Sequence, residues 1–304
     1  MASDKASKSN PKVAEAEKLV KKADKLTKLS FTRWFPDWTA ATPLYEQAAN
    51  AFKLAKMPEA AKIAYEKAAT GQERSSSPWS AGKHLESAGG LARELGNFDE
   101  VIDLYKRASE LYVQCGKVQP AADALAKGAR AVEDVKPDAA LRMYIDACAL
   151  LEEDGRDQMA FDSYRSAASI YIKLNRYEDA ATVFVRWGQA ADKCKAVQSQ
   201  CKAYLSAIIV YLFADNFNLA DASYNEYSQM DSFFKSDQNH CAVQLLSAYR
   251  EGRPDEIKYV VSTSSVIPHL DHMVIRLAKQ LPSGKVTAIV DETGHNELDE
   301  DDLR

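Results

Sequence analysis

Helix breakers are scarce: 304 residues hold only 12 glycines and 10 prolines. Alanine is abundant instead, and that balance favours helix throughout. Long hydrophobic runs are also missing. No stretch approaches the roughly 18 apolar residues that a membrane span needs, so a transmembrane helix is excluded. The opening MASDKASKSNPKVAEAEK has no apolar core of the secretory kind, and no leader is expected. The 5 cysteines (Cys115, Cys148, Cys194, Cys201, Cys241) are odd in number and never spaced as CxxC. They read as reduced, buried thiols of a cytosolic protein, not as a disulfide framework or a zinc site. Positive charge is not in excess either. A net charge of -5 argues against wholesale nucleic-acid binding, which wants a basic footprint. The remaining balance, 46% apolar and 27% charged, is that of an ordinary folded soluble chain.

Catalytic motifs are lacking as well. No Walker or dinucleotide glycine pattern occurs, and GGLARELG has its glycines in the wrong spacing. His269 and His272 stand three apart in VIPHLDHMVIRL without an evident third ligand, which favours a surface or capping role. His84 is expected to pack at a seam between helices. The carboxylates are scattered along exposed helix faces. No nucleophile, base and orienting group assemble on paper, so neither an enzyme nor a metal or other cofactor is expected.

What is present begins with SFTRWFPDW, which packs Phe31, Trp34, Phe35 and Trp38 into nine residues around a proline. Such a loop either caps the end of a core or touches something apolar outside the molecule.

The second feature is a repeat. Tyr45, Tyr65, Leu85, Tyr105, Leu125, Tyr144, Tyr164, Phe184, Tyr204 and Tyr224 follow one another at steps of 20, with one step of 19. Four residues before each stands a small residue, mostly alanine, and three after another, mostly alanine or glycine; the exceptions include Val101, Gln200, Trp187 and Tyr227. On a helix these positions share one face. Small residues let neighbouring backbones approach, and the large one fills the gap. Between the faces lie turns such as ELGNFDEV and EDGRDQMA. A helix of about fourteen residues and a turn of five or six would fill the period. One helix pair cannot bury its face alone, so pairs stack. The expected fold is an all-α, tetratricopeptide-like, right-handed solenoid of antiparallel pairs repeating about every forty residues, longer than the 34-residue tetratricopeptide unit. A compact bundle would not need so sustained a register.

The expected domains are a disordered stretch at 1–11, a repeat array at 12–236 containing the aromatic loop at 30–38, a helical cap at 237–281 and a flexible acidic tail at 282–304. Pro11 opens a helix running to about Leu29. Closing helices are expected at 237–252 and 266–281.

The aromatic loop, the Ala-rich repeats, AANAFKLAKMPEAA (48–61), LDHMVIRLAK (270–279) and the closing DEDDLR together resemble the soluble NSF attachment protein (SNAP) family from about residue 12 onward. The RWFPDW loop and SSSPW turn resemble the gamma class of that family, from a plant. The resemblance implies an adaptor without catalysis of its own. It would bind SNARE bundles of the syntaxin kind and recruit and stimulate the ATPase NSF, which disassembles them in membrane fusion. It also implies a monomer on the cytosolic face of membranes, held peripherally.

Three surfaces follow from that resemblance. Phe31, Trp34, Phe35 and Trp38 match the family's membrane-dipping loop, with Lys21, Lys22, Lys25, Lys28 and Arg33 nearby to meet anionic lipid. Of the four rings, Trp38 is the one placed to pack on the first repeat instead. Lys56, Arg93, Lys117 and Lys202 fall where the family sets basic contacts to acidic SNARE bundles. Each of these cations taken alone fits a solvated face equally well. Two further basic positions of the family fall on Asp123 and Asp162, which implies weaker or differently selective SNARE binding, with Arg165 one turn away as partial compensation. Glu297, Asp299, Glu300, Asp301, Asp302 and Leu303 match the NSF-binding tail, in which the leucine is needed for stimulation. A generic helical-repeat scaffold, such as a co-chaperone that clamps acidic peptides, is the alternative. It gives no role to Leu303 or to the aromatic loop.

Overall fold

A computed structural model describes residues 11–29 and 34–287. Among the described residues the chain is all helical, with fifteen α-helices packed consecutively as a solenoid and no strand. Contacts divide it into two units, Met1–Ile170 and Tyr171–Arg304.

The first unit contains α1 (Pro11–Thr27), α2 (Trp38–Leu54), α3 (Pro58–Arg74), α4 (Pro78–Leu95), α5 (Phe98–Gln114), α6 (Val118–Val132) and α7 (Pro137–Glu153). A turn of 3-10 helix, Asp157–Ala160, leads into α8 (Phe161–Lys173), which runs past the division. The helices are longer and the turns shorter than the sequence implied: α2, α3 and α5 each have 17 residues. The reason is one recurring turn. A residue with positive φ follows α2, α3, α4 and α5: Lys56 at 56°, Ser76 at 54°, Gly96 at 77° and Gly116 at 65°. The next residue sends its N–H back five positions, as in Met57 to Phe52 (3.0 Å), Ser77 to Gln72 (2.9 Å) and Lys117 to Tyr112 (2.9 Å). This is the six-to-one closure of a Schellman cap. That same residue then serves as N-cap of the following helix, whose first position is proline after two of these turns (Pro58, Pro78). One residue in the left-handed region thus reverses the chain, and three suffice for the turn.

The small–large–small face is the seam. Tyr45, Leu85, Tyr144 and Tyr164 are buried almost completely, and so are the alanines around them. At Gly128 a Cβ would sit 2.8 Å from Tyr105 and 2.4 Å from Met143, so no larger residue fits between α5 and α7.

Helices alternate in direction, so every second one lies in the same layer. Within each layer, neighbours are joined by charged side chains about two periods apart. In one layer Asp24 of α1 accepts from Lys67 of α3 at 2.7 Å, Glu73 of α3 from Arg107 of α5 at 3.0 Å, and Asp99 of α5 from Lys136 at 2.5 Å. Lys62 of α3 also pairs with Glu100 of α5. In the other layer Glu46 of α2 meets His84 of α4 at 2.9 Å, and Glu86 of α4 meets Lys127 of α6 at 2.9 Å. The seam expected for His84 is therefore real, and it is polar.

The second unit contains α9 (Tyr177–Lys193), α10 (Val197–Phe213), α11 (Phe217–Tyr227), α12 (Asp231–Phe234), α13 (Asp237–Arg250), α14 (Pro254–Thr263), a 3-10 turn at Ile267–His269 and α15 (His272–Ala278). Of these, α10 is buried on nearly every side, and α9, α11, α12, α13 and α15 pack around it. Such a helix, buried from Cys201 to Leu212 except at Lys202, serves as the core of its unit. The repeat changes register here. Tyr227, three residues beyond the expected Tyr224, is the buried ring of α11, at 1% exposure. The helix α14 lies between the two closing helices expected from the sequence, where none is expected.

Candidate interaction surfaces

The aromatic loop stands on a polar base. The hydroxyl of Tyr45 and the ammonium of Lys67 both donate to Asp24 Oδ1 at 2.7 Å, and Thr27 Oγ lies 3.3 Å from the Tyr45 hydroxyl. Burial raises the Asp24 carboxyl, but the hydrogen bonds from Lys67 and Tyr45 outweigh it, and the net position is below the ordinary carboxylate value. Burial, helped by Asp24, pushes the Tyr45 phenol up to about 12. Asp37 closes the base: its N–H donates to Leu26 O at 2.9 Å and its Oδ1 accepts from Ala40 N–H at 3.0 Å, capping α2.

On this base the rings part company. Trp34 and Phe35 are 80% and 83% exposed. Trp38 opens α2 and packs, half-buried, against Ala23, Ala41, Tyr45 and Ala68. The chain thus packs Trp38 on the core cluster, as expected for that ring, and leaves Trp34 and Phe35 exposed. Phe31 and Arg33 lie outside the described residues. Lys21, Lys22 and Lys25 are exposed on α1, and Lys28 is exposed just after its last residue.

The four basic residues do not form one cluster. Lys56 is exposed in the α2–α3 turn, and Arg93 is exposed in the last turn of α4. With alternating helices these share one end of the first unit. Lys117, the N-cap of α6, is at the opposite end. Lys202 is half-buried on α10 in the second unit. Arg93 has company that the sequence reading missed. It lines a cleft of about 510 Å³ with Tyr105, Lys127 and Arg130. Burial, with Glu86, holds the Tyr105 phenol above its ordinary value, although Lys127 and Arg93 pull the other way. The signal available was the Lys127/Arg130 pair, three apart on one face of α6. Asp123 and Asp162 are both exposed, and Asp162 pairs with Arg165 at 3.3 Å.

The remaining candidates are quiet. His269 and His272 are exposed, and no cluster of three metal-ligating side chains occurs among the described residues. All five cysteines are free; Cys148, Cys201 and Cys241 are buried as expected, whereas Cys115 and Cys194 are only half-buried. No described helix is long and apolar enough to cross a membrane. The tail residues Glu297, Asp299, Glu300, Asp301, Asp302 and Leu303 lie outside the described residues.

Comparison with known proteins settles the ancestry of this arrangement. The profile of the family described as Soluble NSF attachment protein, SNAP, matches residues 14–281. The chain belongs to the SNAP family. It is 59% identical over 290 residues to the gamma-soluble NSF attachment protein of Arabidopsis thaliana, covering 95% of this chain and 99% of that one. It is 31% identical over 278 residues to the gamma-soluble NSF attachment protein of Dictyostelium discoideum, covering 91% and 85%. The vesicular-fusion protein SEC17 of Komagataella phaffii is 24% identical over 282 residues, covering 88% and 95%. The gamma class and plant affinity expected from the sequence agree with these matches.

Proposed function

We propose that this SNAP-family chain is an adaptor that binds SNARE bundles, recruits NSF and stimulates its ATPase, so that the bundle is taken apart after membrane fusion. The observation that carries the reading is the match to NSF attachment proteins along nearly the whole chain. Its chemistry is binding alone, and the ATP hydrolysis belongs to NSF.

Each surface has a part in this reading. Exposed Lys56, Arg93 and Lys117, with Lys202, meet the acidic bundle. Contacts of this kind set on-rate and specificity more than affinity. Trp34 and Phe35 dip into the headgroup boundary, where an apolar ring with a polar edge is at home. Full burial of a large apolar side chain is worth about 1.5–3 kcal/mol, and each lysine near anionic lipid adds about 1 kcal/mol. Two rings thus give a weak, reversible foothold on the cytosolic face, added to the SNARE contacts. The acidic tail meets a basic surface of NSF, with Leu303 as apolar anchor. Each contact is weak, so several copies acting together supply the strength.

The test is the NSF ATPase rate with SNARE complex present, for the wild type and for Leu303→Ala. Wild-type stimulation that the substitution removes, with NSF still bound, supports the reading. No stimulation by the wild type overturns it.

A further inference from the structure

The corner between α14 and α15 holds a cleft of about 520 Å³. Its walls are mainly apolar, from Val261, Ile267, Ile275 and Leu281, with Ser262 and Ser264 among them, and Lys258 and Lys279 also line it. Both lysines are exposed, and neither ammonium pairs with a carboxylate among the described residues. An apolar hollow between two cations fits an apolar side chain flanked by carboxylates.

We infer that this cleft is a docking site for an acidic, leucine-bearing segment, and that its occupant is residues 297–303 of this same chain. Three observations select that occupant. The first is charge and shape: ELDEDDL places Asp299, Glu300, Asp301 and Asp302 directly before Leu303. The leucine fills the hollow while the carboxylates meet Lys258 and Lys279. The second is proximity. Leu281 lines the cleft, and Ser283 Oγ, two residues on, donates to the carbonyl of Phe213 at 2.7 Å. That bond fixes the start of the outgoing segment on α10. The third is reach. From Thr287 to Leu303 the chain spans up to about 53 Å when extended at ~3.3 Å per residue, ample for folding back. The tether also favours the chain's own segment over a free competitor, because linked groups meet at high effective concentration.

The consequence for NSF, which rests on the adaptor reading, is that Leu303 is held in the cleft until NSF competes for it. The docking itself does not depend on that reading.

Amide hydrogen exchange on the isolated full-length chain tests the docking. Lys258→Glu with Lys279→Glu, and separately Glu300→Lys with Asp302→Lys, are expected to speed exchange across 258–281 about threefold or more, as loss of a local covering does. Combining all four substitutions restores the charge pairing and is expected to restore protection. Leu303→Ser is expected to speed exchange like the charge reversals, and these tail substitutions change no residue of the described helices. Unchanged exchange in the tail variants overturns the inference, as does a fourfold variant without rescue. Protection that grows with protein concentration assigns the cleft to the tail of a second copy and overturns the intramolecular occupant. The measurement contains no NSF, so a chain that stimulates the ATPase yet shows no protection fails here alone.

Discussion

Tyr204 and Tyr227 stack with ring centroids 4.0 Å apart and planes 9° from parallel, while Phe233 stands edge-on to both at 5.9 and 6.2 Å. On its other side Tyr204 meets Gly188, where a Cβ would lie 2.2 Å from the ring. The ring is thus clamped between α9 and α11 and has nowhere to move.

Gly188→Ala is therefore expected to destabilise the chain by about 1–3 kcal/mol through overpacking. Gly90→Ala, where nothing lies within 4 Å, is the control and is expected to be neutral or slightly stabilising because it favours helix. Urea unfolding of both variants checks the contrast.

Lys195 holds φ at 56° in the α9–α10 turn, a conformation that costs a non-glycine residue roughly 1–2 kcal/mol. Lys195→Gly is expected to stabilise the chain by about 1 kcal/mol, less the added freedom of the unfolded glycine. Lys56→Gly relieves the same strain at φ 56°, yet is expected to weaken SNARE pull-down. A gain in stability together with a loss of binding would assign the lysine there to its side chain and not to its turn.

Trp34→Ser with Phe35→Ser is expected to leave unfolding within about 0.5 kcal/mol of wild type, as for exposed sites, while reducing flotation with anionic liposomes. Trp38→Ser is expected to lose about 1–3 kcal/mol of stability because its ring belongs to the α1–α2–α3 cluster. Unchanged flotation of the double variant would remove the lipid role from this loop.

Asp24 supplies a pH dependence. Hydrogen bonds from Lys67 and Tyr45 leave its folded carboxyl below the ordinary 3.8 despite the opposing effect of burial. The stability it contributes is thus present above its unfolded value and is lost as pH falls through the lower folded one. Asp24→Asn is expected to cost about 1–2 kcal/mol near neutral pH, the range for hydrogen bonds to a charged group. The gap between variant and wild type should close as the pH drops below about 4. A gap independent of pH would show that the charge at Asp24 is not what matters.

The period, the buried face and the all-helical class were legible because one residue type fills one job in each repeat: Tyr45, Leu85 and Tyr144 each close the same gap. The turns were misjudged because their economy comes from backbone conformation, and Lys56 or Lys195 gives no residue-type hint of positive φ. The register shift to Tyr227 arises where α10 exchanges one neighbour for several, a tertiary cause that periodicity cannot register. At the surfaces, residue types identified the loop, but only packing separates Trp38 from Trp34 and Phe35. Arg93 was found singly, because its companions Lys127 and Arg130 come from α6, two helices further along.

The ion pairs that join alternate helices carry a lesson about how such a chain can change length. Removing one helix with its turn would preserve every Schellman closure and bury an equivalent tyrosine. It would also move each later helix into the opposite layer of the first unit and leave Lys62, Arg107 and Lys136 facing strangers. Helices in this unit can be gained or lost in pairs, but not one at a time.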